Sequence, residues 1–287
     1  MKSFEYLRPG TLTEALAMLG RFGTGAKPLI GGTDLMVRIQ KGQADPTAVI
    51  DLKRVEDISS SIEVGAGMIT VGARVVLADL VRNEHIQKHL PALVEAASTV
   101  GSIQIRNRAT LVGNICNASP AADTVPALMI YGAAVTVVGS DGRRKVPLEE
   151  FFLEPGKTIC EPSDLVVAVQ IPIPLKPFGP AFGRLTRRKG VDLATINMAC
   201  GIDAKGITTF VFGAVGPTPI TARDESGDLA RADLPESKRD EILKSLIDHT
   251  SPISDVRSGK EYRQAMLLTI GRRVLYQARQ RYDSKAG

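Results

Sequence analysis

Thr110–Leu128 reads T-L-V-G-N-I-C-N-A-S-P-A-A-D-T-V-P-A-L. Thr110, Gly113, Asn114, Asn117, Ser119, Pro120, Asp123, Thr124 and Pro126 crowd into one run. Asn, Ser and Asp side chains divert the backbone into local turns, Pro removes a donor, and Gly permits close approach. The composition therefore reads as a loop and not as a helix interior. The run lies between two apolar segments, Pro91–Val100 and Ala127–Val138, so core elements hold it from both sides. A polar loop anchored in this way is either a well-turned connection or a place where binding residues gather.

A second run decides between the two. Ala26–Leu35 reads A-K-P-L-I-G-G-T-D-L. A short apolar strand meets two glycines, then Thr33 and Asp34, then a helix. Backbone N–H groups presented at such a turn attract an anion. Asp34 sits less comfortably beside a phosphate and is either a helix cap or part of the binding turn.

I-G-G-T-D-L followed, in this order, by T-L-V-G-N-x(4)-S-P-x-x-D-x-x-P-x-L resembles the FAD-binding (medium) subunit of the molybdenum hydroxylases, the xanthine dehydrogenase and aerobic carbon monoxide dehydrogenase group. The similarity runs over nearly the whole chain. The resemblance implies that Pro28, Leu29, Ile30, Gly31, Gly32, Thr33, Asp34 and Leu35 line FAD together with Thr110, Leu111, Val112, Gly113 and Asn114. It implies that Asp123 accepts hydrogen bonds from the cofactor, since a carboxylate suits a diol and not a phosphate. It places a residue at Val100 near the adenine and a basic residue near the flavin, for which Arg184 is the nearest candidate. One departure is visible: Val112 precedes Gly113 where the family usually carries a glycine.

The same resemblance implies partners. Substrate is oxidised at a molybdenum–pterin centre in a large subunit, and electrons cross two [2Fe-2S] clusters in a small subunit. They then pass through FAD in this chain to NAD+ or another acceptor. A dimer of heterotrimers is the implied assembly. The chain itself shows no cluster or molybdenum-cofactor ligands. A different class, a self-contained FAD-dependent reductase like the one acting on UDP-N-acetylenolpyruvoylglucosamine, would need an acid/base set in the C-terminal part, where none is apparent. A non-enzymatic interaction module would leave both loops without a purpose.

Composition narrows the field further. A length of 287 residues supports two or three compact units. The absence of Trp and the 5% aromatic content argue against a single-strand nucleic-acid binder, which needs stacking platforms. A net charge of +5 without a dense Lys/Arg run is read as solvated surface, with room for a diphosphate contact, so no nucleic-acid partner is expected. Cys116, Cys160 and Cys200 form no C-x-x-C pair, so no metal cage is read. Cys116 is either a small buried residue or one close to the flavin. A sparse, odd cysteine count and an N-terminus without an apolar leader point to the cytoplasm, and no stretch approaches a membrane span.

Along the chain, Thr11 and Glu14 form a capping box, helical spacing follows, and Gly20 is expected to stop the helix. Strand Pro28–Ile30, a helix from Asp34 to Gln40 and strand Ala48–Leu52 predict a small parallel sheet. The G-x-G-x-x-G of a dinucleotide fold is missing. Short strands at Ile62–Val64 and Ile69–Val71, helices at Leu77–Val81 and Pro91–Val100, a hairpin around Ser140-Asp141-Gly142 and a β-rich run Leu165–Ile171 predict a mixed or antiparallel unit. Pro172–Pro180 reads as a linker. Ala181–Arg187, Ala194–Ile202 and Ile207–Val215 read as strands, followed by helices Pro235–Ile247 and Glu261–Arg281. The expected fold is α+β: an N-terminal FAD-binding subdomain (1–57), a second one (58–175), and a C-terminal domain of a small antiparallel sheet with helices (176–287).

Three further features carry less. His85 and His89 are four apart on a helix but lack a third ligand nearby. Ser119 has no G-x-S-x-G context for nucleophilic catalysis. Arg106 and Arg108 are read as surface charge, loop braces or a partner contact.

Overall fold

The computed structural model describes residues 2–286. Strand β1 (Glu5–Leu7) leads into helix α1 (Leu12–Phe22), β2 (Ala26–Leu29), α2 (Leu35–Gln40) and β3 (Ala48–Asp51). The three strands form a parallel sheet in the order β1-β3-β2. Thr11 and Glu14 do form the capping box of α1, and Ala15 and Leu19 are its buried face. Gly20 does not end this helix. The chain stays helical to Phe22, and Gly23 stops it with φ +52°, a conformation that suits a residue without Cβ. Gly20 sits on the exposed side, where a helical glycine costs little packing.

The middle segment contributes β4 (Ile62–Gly65), β5 (Met68–Gly72), α3 (Leu77–Arg82), α4 (Glu84–His89), α5 (Pro91–Ser98), α6 (Ile103–Arg106), α7 (Leu111–Cys116) and α8 (Thr124–Ile130). Then follow β6 (Ala134–Gly139), β7 (Gly142–Pro147), a small hairpin β8 (Phe152–Glu154) and β9 (Lys157–Thr158), and β10 (Leu165–Pro172). Five of these strands make an antiparallel sheet, β4-β5-β10-β6-β7. Its core is continuous with that of the first segment: Ala15, Leu19 and Ile50 belong to the same buried cluster as Ile69, Val135 and Val169.

The Thr110–Leu128 run was expected to be a loop, but it holds two short helices. Thr110 caps α7 by accepting from the Gly113 N–H at 3.0 Å. Pro126 falls in the first turn of α8, where its missing N–H has no intrahelical acceptor to lose. The turn-forming residues thus sit at helix ends, and the apolar ones between them fill the core.

The last segment is a four-stranded antiparallel meander, β11 (Gly179–Leu185), β12 (Ile196–Ile202), β13 (Thr208–Gly213) and β14 (Ile220–Asp224), with α9 (Glu236–Ile247) and the long α10 (Lys260–Ala286). Helices α5 and α8 cover one side of this sheet, while α10 packs on β11 and β12. Every residue of β12 is consequently buried, including the polar Asn197. No helix among the described residues is long and apolar enough to cross a membrane.

Candidate functional site

The parallel sheet ends in a turn that returns the chain over α7. After β2, Ile30-Gly31-Gly32-Thr33-Asp34 leaves the sheet and enters α2. Gly31 packs directly on the segment preceding α7: a Cβ there would lie 2.3 Å from the Arg108 carbonyl oxygen. Gly32 adopts φ +71°. Among the described residues, no carbonyl or side chain accepts a hydrogen bond from the N–H groups of Gly31, Gly32, Thr33, Asp34 or Leu35. The Asp34 side chain makes no capping bond either, and instead lies 3.9 Å from Arg38 across one turn of α2.

This turn borders a cavity of about 430 Å³, within the range of small-molecule sites. Thirteen of the candidate residues line it: Pro28, Leu29, Ile30, Gly31, Gly32, Thr33, Asp34, Leu35, Val100, Thr110, Val112, Gly113 and Asn114. The first turn of α7 faces the same space, and the Leu111 and Val112 N–H groups have no acceptor among the described residues. Asn114 Oδ1 accepts from the Thr124 hydroxyl at 2.7 Å, which ties α7 to α8 and leaves the amide N–H donors over.

The structure also brings in residues that sequence reading missed. Lys27 and Arg38 put positive charge beside the Gly31-Gly32 turn. Leu52 and Ile105 add apolar surface, and Thr158, Cys160, Glu161, Pro162, Asp164, Leu165 and Val166 complete the lining. These last residues arrive only because β10 lies between β5 and β6, a long-range pairing with no local sequence mark. Asp164 is tied to Arg144 at 2.6 Å. Cys116 is exposed toward the cavity yet ringed by protein, and Cys160 is half-buried beside it in the lining. Loss of bulk water raises both thiols, which favours neutral S–H groups.

Leu111, Asp123 and Arg184 stand apart from this lining. Leu111 is fully buried beneath it. Asp123 and Arg184 meet each other at the junction between α8 and β11. Arg184 Nη1 donates to Asp123 Oδ2 at 2.5 Å and to the Thr99 carbonyl at 2.9 Å. Asn197 Nδ2 donates to Asp123 Oδ1 at 2.8 Å, and the Thr99 hydroxyl adds a longer contact of 3.3 Å. Burial pushes the Asp123 carboxyl above the usual carboxylate range, while the Arg184 cation and the two neutral donors pull back toward the charged form. Thr99 precedes the cavity-lining Val100, so this buried joint braces the wall from behind.

The other sequence candidates separate cleanly. Arg106 is a loop brace, with Nη1 donating to the Val100 and Gly101 carbonyls at 3.0 and 3.3 Å. Arg108 is exposed. Among the described residues no group of three or more His, Cys, Asp or Glu is placed to hold a metal ion.

FAD carries a diphosphate, two flat ring systems and a polyhydroxyl chain. The cavity supplies uncharged N–H donors in a row, apolar surface from Leu29, Val100, Ile105, Val112 and Val166, and polar contacts from Thr33, Thr110, Asn114 and Asn117. The residues present therefore fit that cofactor. Comparison with known proteins agrees. Residues 2–174 match the family described as FAD binding domain in molybdopterin dehydrogenase, and residues 181–278 match the CO dehydrogenase flavoprotein C-terminal domain. The xanthine dehydrogenase FAD-binding subunit of Escherichia coli O157:H7 is 30% identical over 278 residues, 95% of either chain. The carbon monoxide dehydrogenase medium chain of Hydrogenophaga pseudoflava is 31% identical, over 95% of this chain and 96% of its own. Reconstituted CO dehydrogenase from Oligotropha carboxidovorans superposes with a TM-score of 0.90 at 28% identity, over 98% of this chain and 99% of that one.

Proposed function

The chain belongs to the family of FAD-binding medium subunits of the xanthine dehydrogenase and carbon monoxide dehydrogenase type, and from that premise we propose that it is the electron-transfer subunit of a molybdenum-containing hydroxylase complex. In this reading it takes electrons from [2Fe-2S] clusters of a small partner subunit, which a large molybdenum–pterin subunit supplies. It delivers them to an external acceptor such as NAD+, a quinone or dioxygen. The observation that carries the reading is the row of five N–H groups, without a partner among the described residues, over a cavity of cofactor size.

FAD, when bound, supplies the capacity to take up electrons and pass them on one or two at a time. The protein's own part is to bind and shield it. Residues Gly31–Leu35 would offer N–H donors to the diphosphate, with Lys27 and Arg38 adding positive charge. Val100, Thr110, Val112, Gly113 and Asn114 would line the cofactor on the α7 side. Asp123 and Arg184 hold the C-terminal sheet against this wall, and Leu111 supports it from the core. Units 1–57, 58–175 and 176–287 divide the work: the first two build the cavity, and the third buttresses it. A dimer of heterotrimers in the cytoplasm completes the proposal.

The test is purification of the native assembly from its own cells. Two further subunits, FAD released on denaturation, and flavin reduction by substrate only in the assembled complex are expected. A lone chain that oxidises an organic substrate at about 1–1000 per second, or one that releases only the mononucleotide, would overturn the reading in favour of a self-contained flavoenzyme.

A further inference from the structure

A second cavity, about 150 Å³, lies between α9 and α10 and shares no residue with the first. Three arginines reach it: Arg239 from α9, and Arg272 and Arg279 from α10. One of them is already used. Arg272 grips Asp240 as a fork, Nε donating to Oδ1 at 2.7 Å and Nη2 to Oδ2. That fork engages both oxygens of Asp240.

Among the described residues neither Arg239 nor Arg279 forms an ion pair, although Asp240 lies near Arg239 and Asp283 near Arg279. Arg239 spends Nη2 on the Leu234 carbonyl at 2.8 Å, and its Nε is buried with no acceptor among the described residues. Among the described residues Arg279 has no hydrogen bond and no ion pair, and its Nε is likewise buried and unmet. The two groups feel each other: burial, and then the Arg239 cation, hold the Arg279 guanidinium below its ordinary value, with Asp283 pulling the other way. Two like charges meet at one cavity, where an anion held by the guanidinium ends would offset their repulsion. Glu236 lines the same cavity but is exposed, favours the Arg272 charge from a distance, and makes no ion pair among the described residues. The Tyr276 hydroxyl accepts from Gln280 at 2.8 Å and keeps its own proton to give.

We propose that this cavity binds a phosphate-type oxyanion between Arg239 and Arg279, either as the free ion or as the terminal group of a phosphomonoester. Guanidinium forks match the geometry of phosphate oxygens and donate to them in pairs. The cavity is about a third the volume of the first, which suits a small oxyanion. Occupancy would link the C-terminal helix to α9 by charge as well as by packing.

The experiment uses the full chain loaded with FAD, so that the flavin cavity offers no competing phosphate site. Inorganic phosphate and glycerol 3-phosphate are titrated separately by calorimetry and thermal melting, against sodium chloride at equal ionic strength. Saturable binding of one anion per chain is expected, and the preferred probe identifies the source. Arg279→Gln should weaken it about tenfold or more, the value of a charge-assisted bond, with flavin absorbance unchanged. Arg279→Lys should keep part of the binding, since it keeps charge and loses the fork, and it serves as well if the glutamine variant folds poorly. No saturable binding above the chloride response, or equal binding by wild type and Arg279→Gln, overturns the proposal. Loss of FAD from an otherwise folded wild-type chain would instead count against the flavin reading.

Discussion

Gly31→Ala should separate the two halves of the FAD cavity. The added Cβ would meet the Arg108 carbonyl oxygen at 2.3 Å, the Arg108 carbonyl carbon at 3.0 Å and the Ala109 Cα at 3.1 Å. All three are backbone atoms, so no side chain can swing aside. The nearest falls about 1 Å short of ordinary contact. Overpacking of this kind costs about 1–3 kcal/mol. If the turn after β2 moves away from α7 to relieve it, FAD can be bound only by restoring the native spacing, and that same energy is lost from binding. Affinity should then fall by about five- to a hundredfold. Gly20→Ala is the matched control: nothing lies within 4 Å of its Cβ, and the position is inside α1. It should leave FAD binding alone and stabilise the chain by about 0.5–1 kcal/mol. Both variants are read by FAD titration with flavin fluorescence and by thermal melting. A Gly31→Ala chain that binds FAD and melts like wild type would refute the argument that these loops are held in backbone contact.

Asp255→Asn should lower stability by about 3 kcal/mol, because it leaves the fully buried Arg263 without its counter-ion. Burial disfavours the Asp255 charge, but donors from Arg257 and Arg263 outweigh it and hold the carboxyl well below the usual range. Its contribution is therefore complete above the unfolded value of about 4 and is lost as pH falls through the depressed folded value. The melting gap between wild type and variant should be flat near neutrality and narrow in acid; a gap that widens in acid would contradict the pairing. Asp123→Asn should destabilise the joint between α8 and β11 through the stranded Arg184, seen as a lower melting temperature even in the FAD-loaded chain. An unchanged melting temperature with weakened FAD would show instead that Asp123 serves the cofactor. Thr110→Val removes the cap of α7 and should cost about 1 kcal/mol together with a measurable loss of FAD affinity. Equal stability and equal affinity would mean that the first turn of α7 does not depend on its cap.

Where a residue is to act through its own backbone, its placement was legible in the sequence. The Gly31-Gly32 turn is written in local residue types, and the structure puts its N–H groups on the cavity. The long helices and most strands were legible for the same reason, since their periodicity is local, but the short β1 and β14 carry too little pattern and were not read. Gly20 misled because a glycine within a helix and a glycine that ends one look alike until the left-handed residue, here Gly23, is located. The short helices α7 and α8 were hidden because helices of six and seven residues are mostly caps, and cap residues read as loop. Thr158–Val166 could not be seen at all, because its place depends on β10 entering between two strands far back in the chain.

Asp123 and Arg184 mark the boundary of what a sequence can decide. A carboxylate in a polar loop has the same local signature whether it accepts from a ligand hydroxyl or from a guanidinium. The choice is made by which strand lies beside α8. The meander places Arg184 on β11 and Asn197 on β12 at paired positions, so both reach the same carboxylate from adjacent strands. Removing that carboxylate from water is compensated only while both donors stay in place. The joint therefore ties the position of the C-terminal sheet to the wall at Thr99 and Val100, and a change in either strand should be felt at the cavity without any residue there being altered.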